Sequence, residues 1–109
     1  MLTYYHYSIF MIYYWKMIKS YSCKETEKVH KGLFSKKWDN NIRRKGQMKL
    51  DILDTVRELD HLRIPPGNRL HPLKDDLIGY HSISINKQWR IIFKWKDGDA
   101  YEVKIKDYH

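Results

Sequence analysis

The 109-residue chain contains a single cysteine, Cys23. One thiol excludes an internal disulfide, and without a second cysteine nearby we expect no zinc site. No stretch reaches the roughly 20 apolar residues of a membrane span. The aromatic-rich first segment, residues 1 to 16, also lacks the basic start and small-residue cleavage site of a signal peptide. We therefore expect a cytoplasmic protein with no metal, no small-molecule cofactor and no membrane partner.

Acidic residues are also scarce, because 13 Asp and Glu stand against 21 Lys and Arg and give a formal net charge of +8. A surplus of this size attracts polyanions such as nucleic acids, although solubility alone explains many basic surfaces. The length suits one domain with a modest core. We assign residues 17 to 109 to that domain and residues 1 to 16 to an extension, with translation starting at Met17 as the preferred interpretation.

The first half of the domain predicts one strand and two helices. Alternation over Ile18 to Ser22 favours a strand, and the spacing of Ser22 and Glu25 is that of a capping box for a helix from about Lys24 to Lys31. Asp39 is a good N-cap for a main helix that extends to about Arg57. The apolar stripe of this helix is Ile42, Gly46, Leu50 and Leu53.

Basic side chains occupy the other face of the main helix. Such a face is either simply solvated or follows a phosphate backbone, and the sequence favours neither. Together with one cation of the later strands, these residues form the predicted RNA-binding set: Arg43, Arg44, Lys45, Lys49 and Lys94.

The second half changes to a period of two. Alternating apolar residues predict one strand before Asn86, a second from Trp89 onward and a third from Ala100 to Lys106, with Tyr101 on the same face as the apolar residues of that last strand. The Asp97-Gly98 pair predicts a tight hairpin turn. The predicted fold class is therefore α+β, with a small antiparallel meander packed against two N-terminal helices.

Side chains able to cleave a phosphodiester gather in this half. RNA cleavage by protein groups needs a base for the 2′-hydroxyl, cations for the phosphate and an acid for the leaving 5′-oxygen. Neighbouring antiparallel strands can bring such groups together. The candidate catalytic residues are His71, Lys74, Arg90, Asp107, Tyr108 and His109. Each also has a structural interpretation, so on composition and spacing alone this set only suggests a nuclease.

The motifs PPGN-R-LHPLK, QWRI-x-F-x-W, DGDAY and the terminal DYH closely resemble the HigB-type ("plasmid maintenance killer") toxins of the RelE/ParE superfamily. The resemblance implies a RelE-like fold and a toxin of a type II toxin–antitoxin system. It also implies a ribosome-dependent mRNA endonuclease, with mRNA on the ribosome and a helix-turn-helix antitoxin of the HigA type as partners. The family's functional positions fall on the six candidate residues named above.

Three alternatives stay open at this stage. The superfamily also contains toxins that act on DNA gyrase, a basic domain can bind RNA or the ribosome without cutting, and the chain can be a folded but inactive toxin. One departure bears on the last of these, since relatives commonly have L-K-G-D where this chain has Asp75 after Lys74. The added carboxylate is expected to draw Lys74 into a salt bridge.

Overall fold

The computed structural model describes residues 16 to 108, in which two α-helices precede an antiparallel sheet. The predicted extension lies outside this range except for Lys16, and His109 lies outside it as well. The helices are α1 (Lys24–His30) and α2 (Asn40–Leu53), and short 3-10 helices occupy Leu59–Arg63, Pro66–Asn68 and Asp75–Leu77. The strands are β1 (His71–Pro72), β2 (Tyr80–Ser84), β3 (Trp89–Lys96) and β4 (Asp99–Asp107).

The four strands are hydrogen-bonded in sequence order, so the predicted meander and the α+β class are confirmed. Between β2 and β3, the side-chain oxygen of Asn86 accepts the backbone N–H groups of Gln88 and Trp89 at 2.9 and 2.8 Å. Between β3 and β4, Asp97 and Gly98 both adopt positive φ, 52° and 84°. A two-residue hairpin with positive φ at both positions is the turn that Asp-Gly favours.

Helix α2 begins where it was predicted, because the side chain of Asp39 accepts the Ile42 N–H at 2.9 Å. Its buried stripe is the predicted one, and a Cβ at Gly46 would lie 3.4 Å from methyl groups of Ile105 and Val29. The helix ends at Leu53, earlier than predicted. The residue after it, Asp54, is instead engaged by the N-terminal segment.

The predicted first strand runs beside β4 but forms only two isolated parallel bridges, Ile18 to Ala100 and Tyr21 to Val103. Between these bridges, the Glu102 N–H donates to the hydroxyl of Ser20 at 2.9 Å, so a side chain replaces the backbone partner. The segment is also tied to the end of α2, since the N–H groups of residues 17 and 18 donate to the carbonyl and carboxylate of Asp54.

The predicted capping box is wrong. Helix α1 has Cys23 as its N-cap and no side-chain cap. The hydroxyl of Ser22 donates to the Glu102 carbonyl at 3.2 Å, while the carboxylate of Glu25 accepts the Ser35 hydroxyl at 2.6 Å. Tertiary partners therefore outcompete the local pair, which would satisfy only one turn of a seven-residue helix.

The sheet has two faces of different character. Both helices pack on one of them, the covered face, which carries the fully buried side chains of Ile83, Ile91 and Phe93. Because successive side chains of a strand point to opposite faces, Ser82 and Arg90 lie on the other side, called here the open face. None of the helices between residues 16 and 108 is long and apolar enough to cross a bilayer.

The predicted phase of β4 is wrong near its start. A β-bulge shifts the register between Ile92 and Lys94, and Glu102 adopts a φ of 52°. The buried residues are consequently Ala100, then Val103 and Ile105, while Tyr101 is only half-buried. An extra residue in one strand reverses the alternation beyond it, and periodicity alone does not reveal where it is inserted.

Candidate active site

Arg90 is the centre of the open face and is 5% exposed. Its Nε donates to the hydroxyl of Ser82, and one terminal nitrogen donates to the Arg69 carbonyl at 2.9 Å. The ring of Tyr108 stacks on the guanidinium, with 4.7 Å from Cζ to the ring centroid. Burial lowers the pKa of Arg90 below its ordinary value. The guanidinium is thus held in one orientation at a cost in desolvation, as expected of a group arranged for charge stabilisation.

His71 lies beside Arg90 because β1 pairs with β2 and places His71 opposite Ser82. Its Nδ1 is 3.0 Å from the Arg69 carbonyl oxygen. A carbonyl oxygen only accepts hydrogen bonds, so this contact is a hydrogen bond in the neutral tautomer that has its proton on Nδ1 and its lone pair on Nε2. The same carbonyl therefore orients both His71 and Arg90, whose nearest nitrogens are 3.4 Å apart. In that tautomer, His71 has a proton acceptor next to a fixed cation.

Tyr108 completes this cluster from the C-terminal end of the sheet. Its backbone N–H donates to the Gln88 carbonyl at 2.7 Å, which continues the pairing one residue beyond β4. Its ring packs edge-on against that of His71, with centroids 6.2 Å apart. Three of the predicted residues, His71, Arg90 and Tyr108, thus meet on the open face.

Two other predicted residues are not part of this cluster. Asp107 pairs with Trp89 and so points to the covered side, where its carboxylate accepts the side-chain amide of Gln88 at 3.1 Å. The side chain of Lys74 is exposed and makes no ion pair or hydrogen bond within residues 16 to 108, so the expected salt bridge with Asp75 is absent. His109 lies outside the described residues, directly after Tyr108.

The backbone of Asp75 also has a conformation that the sequence did not predict. It adopts a φ of 55°, in the left-handed region that glycine occupies without strain. The departure from the L-K-G-D pattern therefore changes the backbone energetics of the β1–β2 connection as well as its charge. Aspartate is among the few other residues that tolerate this conformation.

The predicted RNA-binding set is dispersed. Four of its five residues are on helix α2, which packs on the covered face and not on the open face that carries Arg90. Arg43 donates to the carbonyls of Ser35 and Trp38 and stacks on Phe34, and Lys49 donates to Asn68. Lys94 pairs with a carboxylate of β4, Glu102, at 3.2 Å. Arg44 and Lys45 are exposed, and their contact with RNA stays a prediction.

Sequence reasoning missed the residues that orient the cluster. Ser82 was not singled out within its predicted strand, and Arg69 appeared only as part of a motif. Both act through position, Ser82 by strand register and Arg69 through its backbone carbonyl, so their side-chain types carry little signal. Among residues 16 to 108, no three His, Cys, Asp or Glu side chains lie close enough to hold a metal ion.

Comparison with known protein families identifies the family of this chain. The model of the RelE-like toxins of the type II toxin–antitoxin system HigB matches residues 21–109. The chain belongs to this family of HigB-like toxins. The resemblance inferred from the PPGN, HPLK, WRI and DYH motifs is thereby confirmed, and so is the RelE-like fold.

Two curated relatives support the assignment. Toxin HigB-1 of Vibrio cholerae is 54% identical over 52 residues, which are 48% of this chain and 55% of that protein. Endoribonuclease HigB of Proteus vulgaris is 43% identical over 61 residues, 56% of this chain and 65% of that protein. The matched stretches thus span less than two thirds of either relative.

Solved structures agree on the fold. A crystal structure of a variant of YafQ from E. coli superposes with a TM-score of 0.60 and covers 85% of this chain and 93% of that one. The identity is 17%, so this likeness concerns the backbone arrangement alone. The HigB-like toxin keeps that arrangement with a largely different sequence.

Proposed function

We propose that this HigB-like toxin is a ribosome-dependent endoribonuclease that cuts mRNA during translation and thereby stops growth. The observation that carries the proposal is the shared Arg69 carbonyl, which lies within hydrogen-bond distance of both Nδ1 of His71 and the Arg90 guanidinium. The name of the Proteus vulgaris relative, Endoribonuclease HigB, points in the same direction. Binding without cleavage would not require a proton acceptor fixed next to a desolvated cation.

The chemistry follows from these groups. Nε2 of His71 takes the proton of the ribose 2′-hydroxyl, whose oxygen attacks the adjacent phosphorus. Arg90 neutralises the negative charge that accumulates on the phosphate oxygens. The P–O5′ bond then breaks, a 2′,3′-cyclic phosphate forms, and the leaving oxygen receives a proton. We assign this last proton to His109, which directly follows the Tyr108 of the cluster.

The remaining candidates receive supporting roles. Lys74 adds a mobile positive charge near the phosphate, since its exposed ammonium has no ion pair among the described residues. Tyr108 offers its ring to an unstacked base, and Asp107 stabilises the turn that leads to Tyr108 through Gln88.

The proposed partners are an RNA substrate and a protein inhibitor. The substrate is mRNA on the ribosome, in the cytoplasm, and the inhibitor is a helix-turn-helix antitoxin of the HigA type. We further propose that residues 17 to 109 suffice for this activity. The basic surface, with its net charge of +8, favours a polyanionic target.

The test is inducible expression in bacteria with primer extension on a reporter mRNA and on the same mRNA without its start codon. The full chain and one beginning at Met17 should both cut only the translated message. His71→Ala should reduce cutting by roughly 100-fold or more, because it removes the general base. His61→Ala is the matched control, since His61 is exposed and lies outside the cluster.

Two outcomes would contradict the proposal. Equal cutting of both messages would remove the dependence on the ribosome. Growth arrest without cuts would favour gyrase poisoning or plain ribosome binding, which a DNA supercoiling assay and ribosome sedimentation then separate. His109→Ala in the same assay tests the proton donor, and its expected result is loss of cutting with unchanged circular dichroism.

A further inference from the structure

The loop that precedes β1 is held by hydrogen bonds to one buried side-chain amide. Asn68 is 0% exposed, and its Nδ2 donates to the carbonyls of Leu62 and Ile64 at 3.0 and 3.2 Å. Its Oδ1 accepts a hydrogen bond from the ammonium of Lys49. Both ends of this amide therefore have protein partners, and the side chain has one orientation in which all of these bonds are made.

The next residue, Arg69, connects this loop to the candidate site through its backbone carbonyl. Arg69 adopts φ 49° and ψ 50°, a left-handed conformation, and its N–H donates to the Pro66 carbonyl at 3.1 Å. In this conformation its own carbonyl points at both His71 and Arg90. A non-glycine residue stays in such a conformation only where its surroundings enforce it. Asn68, whose amide is held at both ends, is the residue directly before it.

Lys49 links this loop to helix α2. Its side chain is partly buried, and that burial lowers its pKa below the ordinary value. The ammonium donates to the Asn68 amide, on the inner side of the loop. A phosphate-binding lysine is usually free to move toward its ligand, whereas this one is engaged within the fold.

We propose that Lys49 and Asn68 are positioning residues for RNA cleavage, acting from helix α2 through the Arg69 carbonyl on His71 and Arg90. The proposal rests on the proposed function, and it replaces the sequence-based prediction that Lys49 binds RNA directly. The amide keeps Arg69 in its left-handed conformation, and the ammonium keeps the amide in place. Without them the carbonyl turns away, and His71 loses the acceptor that selects its tautomer.

The experiment uses the full chain and compares Lys49→Met, Lys49→Arg and Lys36→Met. Methionine keeps the length and the helical preference of lysine, arginine keeps the donor, and Lys36 is an exposed lysine whose loss changes the net charge equally. Nitrogen-15 NMR reports the His71 tautomer and the Arg90 Nε–H resonance. Single-turnover cleavage of mRNA on the ribosome, and the affinity for ribosomes that carry an mRNA with a 2′-deoxy nucleotide at the cut site, are measured in parallel.

For Lys49→Met we expect both NMR signals to change and the cleavage rate to fall roughly tenfold to 100-fold, because small displacements of reacting groups have effects of this size. RNA affinity should stay within about twofold, since no phosphate contact is lost. Lys49→Arg should restore the wild-type spectra and most of the rate. Lys36→Met should match the wild type in spectra and rate.

Unchanged His71 and Arg90 signals in Lys49→Met would overturn the proposal. So would a loss of RNA affinity with a salt dependence reduced by about one unit of slope, the signature of a direct phosphate contact. If the wild-type chain cleaves no mRNA on the ribosome, the proposed cleavage is wrong, and the spectra alone then decide whether Lys49 positions His71 and Arg90. Asn68→Ala should reproduce the spectral change of Lys49→Met.

Discussion

The two faces of the sheet are built by different rules. The covered face buries Leu50 of α2 against Ile91 and Phe93, and each of these residues belongs to a regular apolar pattern. The open face gathers His71, Arg90 and Tyr108 from three separate strands or strand ends. Apolar packing is non-directional and tolerant, whereas the open face depends on a few directional hydrogen bonds, two of them to one carbonyl. Stability and chemistry are therefore expected to be separable in this protein.

Paired substitutions give the largest effects and test that separation. Leu50→Ala should lower the free energy of unfolding by about 3 kcal/mol, since Leu50 is 0% exposed and its loss leaves a cavity. Arg90→Met should reduce cleavage roughly 100-fold to 1,000-fold, with stability within about 1 kcal/mol of the wild type because relief from desolvation offsets the lost hydrogen bonds. Urea unfolding and reporter-mRNA cleavage measure the two properties. Equal losses of stability in both variants would show that the faces are not independent.

A smaller effect concerns a polar cluster on the helix side. The hydroxyl of Tyr21 is hydrogen-bonded to Nδ1 of His30, and Nε2 of that histidine lies 3.1 Å from Asp51. Burial raises the pKa of Tyr21 to about 12, with the nearby carboxylate of Asp54 as the next cause. In the unfolded chain this phenol ionises near its ordinary pKa of 10.0. Its contribution to stability is therefore complete below pH 10 and is lost as the pH rises toward 12.

Tyr21→Phe should accordingly cost about 1 kcal/mol at pH 8, where the hydroxyl bond is intact. Between pH 10 and 12 the wild type should lose about 1 to 2 kcal/mol more than the variant, after allowance for partial exposure. Urea titrations at several pH values measure this difference. A constant gap between the two proteins across this range would contradict the assignment.

The smallest expected effect lies in the connection between β1 and β2. Asp75→Gly should raise the free energy of unfolding by about 0.5 kcal/mol, because relief at positive φ exceeds the added entropy of the unfolded chain. It should also strengthen RNA binding slightly by removing a negative charge beside Lys74. Asp75→Asn, which loses the charge and keeps a side chain that tolerates this conformation, is the control. Equal stabilities of the Gly and Asn variants would remove the backbone explanation.

Prediction from sequence succeeded where the signal was local. Asp39 capped helix α2, which buried the expected stripe, and the Asp97-Gly98 turn joined the strands that flank it. It failed where a distant partner decided the outcome. The end of α2 depended on the N-terminal segment at Asp54, and Glu25 bonded to Ser35 instead of capping its own helix.

Prediction of the site residues also succeeded in part and failed in part. His71, Arg90 and Tyr108 were named from motifs, and the structure brings them together. Asp107 was grouped with them through the terminal DYH motif, yet strand alternation turns it to the other side. Lys49 was read as a surface cation because helix periodicity puts it outside the apolar stripe. Its actual partner, Asn68, is 19 residues away.

The sequence by itself determined the class of fold, the helix and hairpin positions and the family, since these follow from local periodicity, turn chemistry and motifs. Only the tertiary structure decided which face each functional side chain joins, where β4 bulges, and which carbonyl orients His71 and Arg90. Those outcomes depend on strand register and on a left-handed backbone at Arg69. Contacts between distant segments set both features, and such contacts leave little trace in the residue types.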